Sequence, residues 1–199
     1  SMELHADDLA GLLDALDIGQ AHIAGISYGS EVSLVFALRY PEKTKSLIVI
    51  DGVSEVPLML KLQSRPWKIA GERNDAELLF DTSIFLNFGE DYLKRNEQFL
   101  SLSREAFSKL NLSSFIKLMD SFTAYNITDQ LGHIKSPTLI IVGEEDLIKG
   151  PKMAQIMVDR IPHAEYVVVP GAGHALCLDK PEPLNTLLMG FALKHSSQA

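Results

Sequence analysis

A single cysteine, Cys177, stands in 199 residues, which excludes an internal disulfide framework and any multi-cysteine metal site and fits a reducing compartment. No apolar run approaches the roughly 18 residues of a membrane-spanning helix, and no signal-peptide pattern opens the sequence. The expected setting is cytoplasmic. Basic clusters are missing too: 18 Lys and Arg stand against 26 Asp and Glu, a formal net charge of −8, which disfavours nucleic acid and anionic membrane surfaces as partners. Internal repeats and low-complexity tracts are also lacking. What is plentiful is apolar material, 46% of the residues, ample for a buried core in a chain about the size of one domain. Ser1 before Met2 reads as a remnant and is expected to take no part in the fold.

Between Leu4 and Leu16, Leu9, Leu12, Leu13 and Leu16 recur at three- and four-residue spacing with Asp7, Asp8 and Asp14 between them, which predicts an amphipathic helix ending near Gly19, where a C-terminal glycine is expected. The run from Ala21 to Ile26 suits a short strand buried on both faces. After a sharp turn, Ser30 to Tyr40 has helical spacing and stops at Pro41. Leu47–Ile50, Thr138–Val142 and Tyr166–Val169 are further short apolar strands, and Lys152–Ile161 and Leu184–His195 are helical in pattern. Strands alternating with helices predict a parallel sheet. The stretch from Pro57 to Tyr125 breaks the alternation: its apolar residues suit helices and no strand is evident. A helical insertion there would lie over the carboxyl ends of the strands, where open α/β sheets place ligands.

Gly25-Ile26-Ser27-Tyr28-Gly29 sits between a predicted strand and a predicted helix, the context in which Gly-x-Ser-x-Gly lifts a serine above a sheet as a nucleophile. Gly25 and Gly29 are expected to leave room for close strand–helix packing, and the Tyr28 N–H to face a developing oxyanion. A serine hydroxyl needs a base, and the base needs an orienting group. Candidates follow later strands: Glu144, Glu145 and Asp146 after Val142-Gly143, and His174 in Gly171-Ala172-Gly173-His174. Among six histidines, His5, His22, His133, His163 and His195 lie on helices, at wrong strand ends or near the terminus. Asp146 is preferred over Glu144, Glu145 and Asp51 because it lies far enough beyond Gly143 to face the histidine loop. Cys177, between Leu176 and Leu178 with no base to activate it, is read as a small buried residue. The acidic pairs Asp7-Asp8, Glu90-Asp91 and Glu144-Glu145 lack histidine partners, so no metal site is expected.

Gly25–Gly29, Phe36–Lys43, Leu47–Asp51, Pro137–Asp146 and Gly171–His174 together resemble the α/β-hydrolase superfamily, in its serine esterase and lactonase-like branch. The resemblance implies an α/β fold with a parallel-sheet core whose strands correspond to the fifth to eighth of the family, the first four being absent. It also implies a helical cap. The segments are 2–56 for the first part of the core, 57–130 for the cap and 131–199 for the second part. Ser27, His174 and Asp146 would then be nucleophile, base and orienting acid, with the Tyr28 N–H an oxyanion donor and no cofactor. The expected activity is cleavage of a small or medium ester, lactone or thioester through an acyl-enzyme, on a substrate with an apolar group. Phe85, Phe88, Phe99, Phe107, Phe115, Phe122 and Trp67 offer the apolar lining for it. The family's second oxyanion donor comes from a loop usually carrying His-Gly, and no His-Gly pair occurs here. That departure keeps a second expectation open, a non-catalytic binding or signalling protein or a truncated relic. The strand Ala21–Ile26 would also be an apolar edge, which predicts a homodimer.

Overall fold

The computed structural model describes residues 1–196. In chain order the elements are α1 (Met2–Ala15), β1 (Ala21–Ile26), α2 (Tyr28–Arg39), β2 (Thr44–Ile50), α3 (Leu58–Glu72), α4 (Ala76–Ser83), α5 (Glu90–Arg95), α6 (Glu97–Ser108), α7 (Leu112–Thr123), β3 (Thr138–Gly143), α8 (Pro151–Arg160), β4 (Glu165–Val169), α9 (Leu176–Asp179) and α10 (Pro181–Lys194). The four strands form one sheet in the order β1-β2-β3-β4. All three pairings are parallel, so each crossover carries the chain back across a face of the sheet, and helices cover both faces. This is the α/β parallel-sheet core expected from the alternation of strands and helices.

Alternation along the strands sorts the core into two layers. Leu47 and Val49 of β2 and Ile140 and Val142 of β3 pack with Leu34 and Phe36 of α2 and Met157 of α8. Ile48, Ile50, Leu139 and Ile141 point the other way, onto Leu184 and Phe191 of α10. Every residue of β3 is buried, which explains its unbroken apolar run.

The stretch between β2 and β3 holds the five helices α3–α7. Its two ends are tied together at its root by a single antiparallel bridge between Glu55 and Asn126, by the Ile127 N–H to the Ser54 carbonyl at 2.8 Å, and by the Ser54 and Thr128 hydroxyls at 2.9 Å. Both ends of the stretch therefore leave the sheet at one place, beside the carboxyl ends of the strands. No helix among the described residues is long and apolar enough to cross a membrane.

Four local expectations change. Ser1 belongs to the fold as the cap of α1, its hydroxyl accepting the Leu4 N–H at 3.3 Å. The helix ends before Gly19: Asp17 takes the left-handed conformation at φ 53°, and the Ile18 N–H reaches back to the Leu13 carbonyl at 2.9 Å, a Schellman closure made without glycine. The buried stripe of α1 is Met2, Ala6, Ala10 and Leu13, while Leu12 and Leu16 are exposed; small residues let α1 lie close to α2, which leucines would prevent. Cys177 is exposed, because the single turn of α9 turns Leu176 inward and leaves the next two residues outside.

β1 pairs with β2 on one side and with no strand on the other among the described residues. Free edges of this kind favour strand pairing. Light scattering is expected to show a dimer that weakens when a charge is placed on the edge by Ala24→Lys, at an exposed position; a monodisperse monomer at high concentration is the contrary result.

Candidate active site

The site begins where β1 turns into α2. Ser27 sits at φ 52° and ψ −118°, a strained conformation for a residue with a side chain. It is held by its neighbours: the Ser27 N–H donates to the Ile50 carbonyl at 2.9 Å, and the Ser30 hydroxyl reaches the carbonyls of Gly25 and Ile50, both at 2.7 Å. A Cβ on Gly25 would lie 2.1 Å from the Gly29 carbonyl oxygen, so only glycine fits there. Gly29 differs from expectation, since a Cβ at that position meets nothing within 4 Å; the close approach is made by its carbonyl.

The loops after β3 and β4 bring the other two residues to Ser27. Asp146 is buried, and its Oδ1 accepts the N–H groups of Ile148 and Lys149 at 2.7 and 2.8 Å. Its Oδ2 lies 2.8 Å from His174 Nδ1, and His174 Nε2 lies 2.7 Å from Ser27 Oγ. With Nδ1–H donating to the carboxylate, Nε2 is left to accept the serine proton. The histidine loop is braced from below: Asp179 Oδ2 accepts the Gly173 N–H at 2.6 Å and the Gly89 N–H at 2.8 Å, and the Ala175 N–H donates to the Asn87 carbonyl at 2.6 Å. Glu144 and Glu145 are exposed, and their carboxylates accept the Gly171 and Glu90 N–H groups, both at 3.0 Å, away from His174.

Tyr28 opens α2, so its N–H is one of the first-turn donors with no acceptor inside the helix. Tyr28 lines a cavity of about 280 Å³ together with Ser27 and His174. Trp67, Phe107, Phe115, Met119, Phe122 and Ile148 supply much of the apolar wall. The other expected aromatics lie elsewhere. Phe88 and Phe99 pack with Tyr92 at ring separations of 4.9 to 5.7 Å, and Phe85 is exposed. Helical periodicity marks which residues face inward but not which of two packing clusters they join.

The sequence profile of the alpha/beta hydrolase fold matches residues 1–181. The chain belongs to the α/β-hydrolase family. It is 27% identical over 204 residues to a protein named "Putative carbamate hydrolase RutD" from Pantoea ananatis (strain LMG 20103), covering 98% of this chain and 72% of that one. Two solved structures are also similar. An α/β-hydrolase enzyme, MGS-M2, from a Medee basin deep-sea metagenome library has a TM-score of 0.89 and 28% identity over 94% of this chain and 70% of that one. A thermophilic esterase from Thermogutta terrifontis has a TM-score of 0.88 and 25% identity over 99% and 74%. Family and relatives together support a hydrolase.

Three ionisable residues that the motif does not name lie in this hydrolase site. Glu31, one turn into α2, and Lys149, in the loop after β3, are both buried and form an ion pair at 2.8 Å. Desolvation raises the Glu31 pKa, opposed by Lys149. An acid on the buried face of an otherwise apolar helix was a legible signal for Glu31; nothing in Leu147-Ile148-Lys149-Gly150 marks the lysine. Asp51, weighed above as a rival acid, makes no hydrogen bond with His174. It is fully buried, has φ 50°, accepts the Gly143 N–H at 2.9 Å on Oδ1, and its Oδ2 has no hydrogen-bond partner. Asp51, Asp146 and His174 each offer an atom within 4.8 Å of the others, a grouping that could suit a metal ion, but both ring nitrogens of His174 are engaged. Burial, with Asp146 nearby, pushes the Asp51 carboxyl from 3.8 to about 8.

That raised pKa sets a pH dependence of stability. The unfolded chain loses the Asp51 proton near its ordinary value while the folded chain keeps it to about 8; the folded state binds more protons between these values, so stability falls as pH rises across them. Asp51→Asn keeps the acceptor for Gly143 and removes the ionisation. Its melting temperature relative to the wild type is expected to climb from pH 5 to pH 8 by calorimetry, and a flat difference would contradict the assignment.

Proposed function

We propose that the protein is a serine hydrolase that cleaves a small or medium carboxylic ester, lactone or thioester through an acyl-enzyme on Ser27. The observation that carries this reading is the continuous hydrogen-bonded chain from Asp146 through His174 to Ser27, 2.8 and 2.7 Å long, ending at the apolar cavity. His174 Nε2 takes the Ser27 proton as Oγ attacks the carbonyl carbon, and the carbonyl π pair moves onto oxygen. The Tyr28 N–H, at the positive end of α2, is the donor available to that oxyanion. As the tetrahedral adduct collapses, His174 returns the proton to the departing alcohol or thiol. Water, deprotonated by the same nitrogen, then attacks the acyl-enzyme, releasing the acid and restoring Ser27. Asp146 holds the imidazole in the tautomer that both halves need.

Helices α3–α7 act as a cap in this reading, because Trp67, Phe107, Phe115, Met119 and Phe122 of that stretch form the cavity wall opposite Ser27. A wall of this composition favours an apolar acyl or alcohol group. The similar esterase structure points to the same class of bond.

Two measurements test the assignment. A fluorophosphonate probe is expected to label Ser27 in the folded protein and to leave Ser27→Ala unlabelled; an unlabelled wild-type protein that does not turn over esters contradicts the reading. Asp146→Asn should lower kcat by about 10⁴-fold on whichever ester is turned over, while Asp51→Asn should lower it by less than about tenfold, since Asp51 makes no bond to the histidine. The reverse order would make Asp51 the orienting acid.

A further inference from the structure

One ion pair lies inside the site and takes no part in the proton path above. Lys149, 3% exposed, places Nζ 2.8 and 3.0 Å from the two carboxylate oxygens of Glu31 and 3.4 Å from Ser27 Oγ. Glu31, 0% exposed, also accepts the Val53 N–H at 2.9 Å. The ammonium lies 4.7 Å from the centroid of the Phe122 ring. An ammonium carries three N–H donors. Two are taken by Glu31, and the third faces the nucleophile.

Burying such a pair is costly, and apolar residues of similar volume would serve stability as well. What apolar residues cannot do is place a charge-assisted donor on Oγ. The geometry points to Lys149 as a catalytic residue that donates a hydrogen bond to Ser27 Oγ and stabilises the negative charge arising there as His174 withdraws the proton, with Glu31 as the positioning residue that aims the ammonium. This rests on the serine hydrolase reading above. A hydroxyl has one proton and two lone pairs. The proton goes to His174 Nε2, one lone pair accepts from Lys149, and the other remains free to attack. Lys149 keeps its proton throughout. In deacylation Oγ becomes the leaving oxygen, and the same hydrogen bond stabilises its departure before His174 reprotonates it. The 3.4 Å separation is long for a resting hydrogen bond and shortens as charge accumulates on oxygen, as catalytic hydrogen bonds do on approach to the transition state.

The test is the kinetics of fluorophosphonate labelling of the full chain, with the maximal rate kinact and the binding constant KI measured separately. Glu31→Gln combined with Lys149→Met removes both charges and keeps an acceptor for the Val53 N–H. It is expected to keep labelling at Ser27, dependent on His174, with kinact lowered about 10- to 100-fold, the usual worth of a hydrogen bond to a charged group, and KI within about twofold of the wild type. Unchanged kinact, or a loss confined to KI, overturns the role for Lys149. Should near-UV circular dichroism show that the double variant is not native, Glu31→Gln alone, which keeps the shape and the lysine, is expected to lower kinact at least about threefold with KI unchanged; wild-type kinact there overturns the proposal equally. Failure of the wild-type chain to label, or labelling that survives His174→Ala, strikes the serine hydrolase reading itself and is told apart by those two controls.

Discussion

The approach of β1 to the first turn of α2, so close that a methyl group on Gly25 would sit 2.1 Å from the Gly29 carbonyl oxygen, is the constraint on which the site depends. The chain must reverse from strand to helix within Ser27, and it does so by holding that residue at φ 52°. The strain is held by what surrounds it. Ser30 binds the Gly25 and Ile50 carbonyls, and the Ser27 N–H binds Ile50, so relaxing the turn would break the junction of β1 and β2. The result is a serine whose position is set by the sheet rather than by a mobile loop.

Around that serine the protein buries three carboxylates, one ammonium and one imidazole. Such a cluster is stable only where each charge has a partner or gives up its charge. Asp146 has three donors and Glu31 has Lys149 and the Val53 N–H. Asp51, with a single donor and Asp146 close by, keeps its proton to about pH 8. The division of labour follows from donors: the carboxylate with several is the one placed against the histidine, and the carboxylate with one lies behind it, neutral.

The helices between β2 and β3 add what the sheet cannot. Strand ends and loops supply the polar groups, but they leave the space above Ser27 open. Because both ends of the helical stretch are pinned at one root by Glu55–Asn126 and Ser54–Thr128, α3, α4, α6 and α7 can arch over the strand ends and close an apolar wall there. Their packing also draws Phe88 and Phe99 into a separate aromatic cluster beneath the histidine loop, where a Cβ on Gly173 would meet the Phe88 backbone at 2.5 Å.

The sequence by itself determined the parallel order of strands and helices and the helical character of the inserted stretch, and it picked out Ser27, Asp146 and His174, which the fold brings into one hydrogen-bonded chain, because strand burial, glycine at the elbow and loops after successive parallel strands leave local marks in the residue pattern. It misplaced the end of α1 and the exposure of Cys177, where hydrogen bonding by Asp17 and the single turn of α9 override residue preference. Only the tertiary structure decided which aromatics face the cavity, that Asp51 lies near Asp146 with no hydrogen bond to the histidine, and that Glu31 and Lys149 meet beside Ser27. Those facts depend on contacts between residues as many as 122 positions apart, and no periodicity along a chain records which distant side chains will share a desolvated space.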